Sequence, residues 1–155
     1  MAKISLFANQ FQDRFIIERQ GLADIARIET DNDRSDATFE WTGPNLRPGA
    51  TGQLRRATPL LGVVLRIATF LDFRIEGKFA ENIQDPATAA EVREESTFVL
   101  EEGLIDPNHL TFRSVKFPDR VIRHRQFHLF AERVNTPADF QDATFRFVPP
   151  LLAGT

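Results

Sequence analysis

The chain has no cysteine and no tyrosine, and only one methionine and one tryptophan, in 155 residues. Without cysteine there is no disulfide, no zinc–thiolate site and no thiol nucleophile, and the absence fits an oxidising or a reducing compartment alike. No apolar run is long enough to span a bilayer. The greasiest segment, residues 59–70 (PLLGVVLRIATF), is short and carries Arg66. The opening MAKISLFANQ lacks the apolar core of a signal peptide. Two readings of the compartment stay open: a cytoplasmic protein, or a secreted one whose signal has been removed. A large charge excess is also missing. The net charge of −3 argues against wholesale binding to nucleic acid or to an anionic membrane.

Catalytic signatures are absent too. No G-x-S-x-G, H-E-x-x-H, P-loop or dinucleotide glycine pattern occurs. Nothing singles out a glycosidase-like pair among the 22 acidic residues. The chain reads as non-enzymatic, with no cofactor and no metal. His124 and His128 are the only close histidines. On a strand they lie about 13 Å apart, too far to share an ion.

What the chain does have is an internal echo. A shift of 106 places lays Phe11, Asp13, Arg14, Ile16 and Arg19 on Phe117, Asp119, Arg120, Ile122 and Arg125, and Asp36-Ala37-Thr38-Phe39 on Asp142-Ala143-Thr144-Phe145, without a gap. A shift of 47 lays Arg66, Phe70, Asp72, Ile75 and Thr97-Phe98 on Arg113, Phe117, Asp119, Ile122 and Thr144-Phe145. Three copies result, near 4–46, 63–104 and 110–152, inside one domain over 1–155. Residues 47–59 (RPGATGQLRRATP) read as an inserted surface loop.

Within each copy the signals are those of strands: ISLFA, RFIIE, DIARIE and ATFEW in the first; LTFRSV, RVIRH, FHLFAERV and ATFRFV in the third. Only 85–96, rich in Ala and Glu, reads as a turn or two of helix. Four short strands repeated three times predict an all-β fold, a β-trefoil. A single copy cannot bury its apolar face alone, so the three must close on one another. A sandwich has a similar strand count but leaves the threefold repeat unexplained.

The third copy, LTFRSVKFPDRVIRHRQFHLF followed by DATFRFVPPL, resembles the arabinofuranose-binding AbfB-type domain, a β-trefoil carbohydrate-binding module of α-L-arabinofuranosidases. The resemblance is close from Phe112 to Leu151, moderate in the first copy and poor in the second. Lys116 stands where that family usually has Asn, and Val121 where it has an aromatic. The resemblance implies a sugar pocket per repeat, built on the His of R-H and the Asp of D-A-T-F. Carried over, the third copy offers His124 and Asp142. The first offers Asp36, with Glu18 in the histidine place. The second offers Glu95 and Gly77.

The residue chemistry suits that role. An ionised Asp142 accepts from vicinal hydroxyls through charge-assisted bonds, and a neutral His124 both donates and accepts. Phe127 or Phe117 can wall the pocket. The bland reading stands beside it: an acid before a Thr-Phe strand is a good turn residue, and His124 an exposed strand position. The basic cluster Arg113, Lys116, Arg120, Arg123 and Arg125 reads as a solvated face, partly paired with the acidic run Glu91–Glu102. Three functions remain: a glycan-binding module for arabinofuranose-containing or related glycans, a protein-interaction or inhibitor scaffold with degenerate sugar pockets, or a degraded enzyme-associated domain that is mainly structural.

Overall fold

The computed structural model describes residues 2–57 and 62–152, and Residues 58 and 59 of the expected loop lie outside that range. The first third of the chain folds as β1 (Ala2–Ala8), the hairpin β2 (Arg14–Arg19) and β3 (Leu22–Arg27), helix α1 (Asp31–Asp36) and β4 (Phe39–Trp41). The middle third gives β5 (Thr51–Gly52), β6 (Leu54–Arg56), the hairpin β7 (Val63–Ala68) and β8 (Arg74–Phe79), α2 (Pro86–Glu95) and β9 (Phe98–Glu102). The last gives β10 (Leu110–Ser114), the hairpin β11 (Val121–Arg125) and β12 (His128–Glu132), α3 (Pro137–Asp142) and β13 (Phe145–Val148). The fold is all-β in its framework, one continuous antiparallel sheet that closes where β10 pairs back to β11.

The closure is cyclic. In the ring β3–β8–β12, the first residue of each strand faces the third residue of a neighbour: Leu22 opposite Glu76, Arg74 opposite Phe130, His128 opposite Asp24. The hairpins that feed this ring turn through residues of positive φ. These are Gln20-Gly21, Asp72-Phe73 and Gln126-Phe127. Such turns match the twist of the flanking strands.

The Thr-Phe echo has a physical cause. Phe39, Phe98 and Phe145 are fully buried in the central core with Trp41 and Phe112. The threonine before each one donates its hydroxyl to the carbonyl four residues back: Thr38 to Arg34 at 2.7 Å, Thr97 to Arg93 at 2.6 Å, Thr144 to Phe140 at 2.8 Å. Those carbonyls are the orphaned acceptors of a helix end. Each unit therefore carries a helix just before this pair.

α2 agrees with the expected 85–96 helix; α1 and α3 fall between the expected strands, in place of the turns expected at Asp36 and Asp142. Their start signals are local. Thr30 accepts from the Asp33 N–H while Asp33 caps in return, and Thr136 accepts from Asp139 with Pro137 in the first turn. Asp36, Glu95 and Asp142 consequently end helices rather than initiate turns.

Two further expectations change. Residues 51–52 and 54–56 are strands, not surface loop: β6 pairs with both β4 and β7, and β5 with β9. The shift of 47 holds for Thr97-Phe98 but not across the second hairpin. Phe70 is 69% exposed, and Asp72 sits in the turn at φ 56. Ile75 lies on β8, a strand of the cyclic ring, whereas Ile122 lies on β11. The second unit has a longer hairpin turn and a longer helix, so a gapless match slides out of register.

Thr144 also accepts from the Ile105 N–H at 3.3 Å. Thr144→Val, near isosteric, should lower stability by about 1–3 kcal/mol, because buried partners lose their bonds. A urea denaturation series checks this.

Candidate functional site

The third unit brings His124 and Asp142 together, on β11 and the last residue of α3. Asp142 is aimed by Arg123. Arg123 as a whole is 9% exposed. It donates to Asp142 Oδ2 at 2.7 Å, to Glu132 Oε1 at 3.0 Å and, through Nε, to the His124 carbonyl at 3.0 Å. One carboxylate oxygen of Asp142 is thereby committed. The other, Oδ1, lies 3.8 Å from His124 Nε2, beyond hydrogen-bond reach.

His124 is 3% exposed, not the exposed strand position of the bland reading. Its ring packs against Phe11 and Phe145, with centroids 5.5 and 6.4 Å away. Nε2 is buried and has no hydrogen-bond partner among the described residues. Burial pushes the His124 pKa below its ordinary value; Asp142 opposes that shift and Arg123 reinforces it. The ring is therefore neutral at pH 7, able to donate through one nitrogen and accept through the other.

Both residues line an open hollow of about 330 Å³, with Gln10, Phe11, Arg125, Gln126 and Phe127. Phe11 and Phe127 meet edge to face at 5.4 Å, and the Arg14 guanidinium sits 3.8 Å from the Phe127 centroid. Phe127 is 40% exposed at φ 66, the place that Gly21 fills in the first hairpin. A bulky residue in the left-handed region is strained, and such strain gathers where a side chain must be presented. The result is a carboxylate oxygen, an unpartnered imidazole nitrogen and an aromatic edge around one cavity. Phe117, the other candidate wall, packs on Phe73 instead.

The first unit also brings its pair together, but around an internal cation. Arg56 is 1% exposed and donates to Glu18 Oε1 at 2.6 Å, to the Glu18 carbonyl at 2.8 Å and to Asp36 Oδ1 at 3.1 Å. Arg19 takes the other Asp36 oxygen at 2.7 Å, and the Gly21 N–H takes the other Glu18 oxygen at 2.9 Å. Every carboxylate oxygen is occupied. Register explains why this happens once. Arg56 faces Phe39 across the strand pair, where Ser114 faces Phe98 and Ala8 faces Phe145. A long cation enters the first pocket, and a methyl stands by the third.

In the second unit Glu95 is 4% exposed, bound by Arg66 at 3.1 Å and near Lys116 at 3.7 Å. Gly77 is not its partner. It lies on β8 against Glu18, where a Cβ would come within 2.5 Å of Oε2. The residue level with His124 is Ile67, which faces Ile75 as His124 faces Leu129.

Elsewhere, His128 meets Asp24 at 2.6 Å, away from His124, and no acid–histidine group able to hold a metal occurs among the described residues. The basic cluster is paired in part: Arg113 with Glu101 at 2.7 Å and Arg125 with Glu132 at 2.9 Å. Sequence reasoning missed Arg123 as the positioning group, and Gln10 and Phe11 as lining. The F-x-D echo marks Phe11 as recurrent but does not show that it crosses to the third unit.

A histidine with a depressed folded pKa leaves the unfolded chain binding more protons as pH falls through about 6.5. Stability is fully present above that value and falls below it. His124→Gln should flatten this acid slope in thermal melts between pH 7 and 5.

Comparison with known proteins adds the lineage. The alpha-L-arabinofuranosidase B (ABFB) domain model matches residues 73–155. No curated protein matches. Among solved structures, an arabinofuranosidase complexed with arabinofuranosyl-alpha-1,2-xylobiose aligns with TM-score 0.77 and 15% identity, over 98% of this chain and 32% of that one. The BEL β-trefoil aligns with TM-score 0.66 and 14% identity, over 94% and 91%. SeviL bound to asialo-GM1 saccharide aligns with TM-score 0.64 and 10% identity, over 96% and 98%. The chain spans about a third of the length of the arabinofuranosidase. With the family model matched over more than half of its length, from the second hairpin through the whole His124–Asp142 unit, this chain belongs to the alpha-L-arabinofuranosidase B (ABFB) domain family.

Proposed function

We propose that the chain is a non-catalytic β-trefoil carbohydrate-binding module, with units near 2–46, 50–104 and 110–152, that takes arabinofuranose-containing or related glycans in its third unit. The observation that carries this reading is His124 Nε2, buried and unpartnered beside a free Asp142 oxygen, at the wall of a hollow edged by Phe127. A buried polar atom without a partner is costly, and a sugar hydroxyl between imidazole and carboxylate would satisfy both. The cyclic β3–β8–β12 ring and the likeness to trefoil folds support the architecture. Family membership and the saccharide-bound neighbours support the ligand class.

Occupation of Glu18 and Asp36 by Arg56 argues for one site rather than two. Calorimetric titration with arabinose and arabino-oligosaccharides should give one site per chain, with a Kd on the order of millimolar, about −4 kcal/mol. His124→Ala and Asp142→Ala should each abolish binding while circular dichroism keeps the native spectrum. A stoichiometry of two, or binding that survives both substitutions, contradicts the reading. Phe127→Gly should weaken binding without lowering the melting temperature, since glycine relieves the φ 66 strain.

A second reading, a protein-docking scaffold, rests on Phe70 and Phe79, exposed by 69% and 54% on the second unit. It predicts no glycan binding by the intact chain.

A further inference from the structure

Beside the His124 hollow lies a second one, of about 550 Å³, and Gln10 lines both. Gln141 of the second hollow is the chain neighbour of Asp142 of the first. Its lining is amide-rich: Asn9, Gln10, Gln12 and Gln141, with Arg146 and Asp106. Asn9 donates to Gln141 at 2.8 Å, which holds those two amides in place.

Arg146 is the unusual member. Its Nε is buried without a hydrogen-bond partner, and none of the ion pairs among the described residues includes it. Its guanidinium carbon lies 5.8 Å from the centroid of the Phe7 ring, and it also lines a neighbouring hollow with Asn108 and His109. Register makes the contrast sharp. Arg146 faces Phe7 across β13–β1, where Glu40 faces Arg55 across β4–β6 and pairs with it at 2.9 Å. The same lattice position carries a satisfied ion pair at one junction and an unpaired cation at the other. Asp106, the acid of the hollow, is turned to His109 at 3.0 Å and to the Asn108 N–H at 3.0 Å.

We infer that this hollow is a second subsite, in which the amides hold sugar hydroxyls and Arg146 receives the carboxylate of a uronic acid unit of the same glycan. The inference rests on the reading that the His124 hollow takes a sugar, and it narrows the ligand to acidic glycans. A guanidinium fork matches a carboxylate, and four amides supply donors and acceptors to a pyranose or furanose rim.

The test is calorimetry of the full chain with paired neutral and uronate-bearing arabino-oligosaccharides, and NMR of the Arg146 Nε–H with free glucuronate, glucose and sodium sulfate. The uronate-bearing ligand should bind at least about tenfold tighter than its neutral pair, an advantage lost in Arg146→Gln and reduced by salt. Glucuronate should shift the Arg146 signal even in His124→Ala, because His124 does not line the hollow that holds Arg146; glucose should not. Equal affinity for the pair, with neutral ligand still bound, overturns the acidic subsite and leaves the sugar site standing. No glucuronate shift, or an equal shift with sulfate, overturns it as well. Arg146→Lys, which keeps the charge but not the fork, should recover only part of the uronate advantage.

Discussion

A carboxylate at the inner end of a short helix must be given a cation, and the source of that cation decides how its oxygens are shared out in each third of this protein. Asp36, Glu95 and Asp142 are carried against the sheet by helices that the following threonine caps. Buried charge without a partner is expensive, and breaking such a pair costs about 3–5 kcal/mol. Each carboxylate accordingly meets an arginine: Arg56, Arg66 or Arg123. Arg66 and Arg123 come from the unit's own hairpin and approach from the side. Arg56 comes from the next unit's strand and reaches between Glu18 and Asp36. An open hollow remains beside Asp142, whereas every carboxylate oxygen of Glu18 and Asp36 is taken.

The third unit keeps its hollow because three neighbours cooperate. Ala8 replaces the long cation, Phe11 crosses from the first unit to cover the imidazole, and Phe127 holds the strained turn that exposes its ring. The site is therefore a junction between the first and third units. Burial keeps His124 neutral, and Arg123 keeps Asp142 oriented, so both arrive preformed. Preformed donors and acceptors lose less on binding than mobile ones.

Much of this is legible in the chain itself. The gapless echo over 106 places marks Asp142 as a position the first unit also keeps, in Asp36, and the Thr-Phe pair marks the core strand; His124, which faces Glu18 in that echo, is named by the family resemblance. The helices were hidden because α1 and α3 are only six residues long and polar, although Thr30 with Asp33 and Thr136 with Pro137 spell out their starts. The role of Arg56 was hidden for a different reason. It acts across a unit boundary, on Glu18 and Asp36, and only strand register shows that it occupies the place of Ser114 and Ala8. The second unit misled because Phe70 and Asp72 repeat a motif by chance inside a longer turn.

The most direct measurement is a crystal structure of the chain soaked in an arabino-oligosaccharide. The account predicts a sugar in the third hollow, with hydroxyl oxygens within hydrogen-bond distance of both His124 Nε2 and Asp142 Oδ1, while Arg56 still fills the first unit. Sugar density beside Glu18 and Asp36, with Arg56 displaced and the third hollow empty, would contradict it.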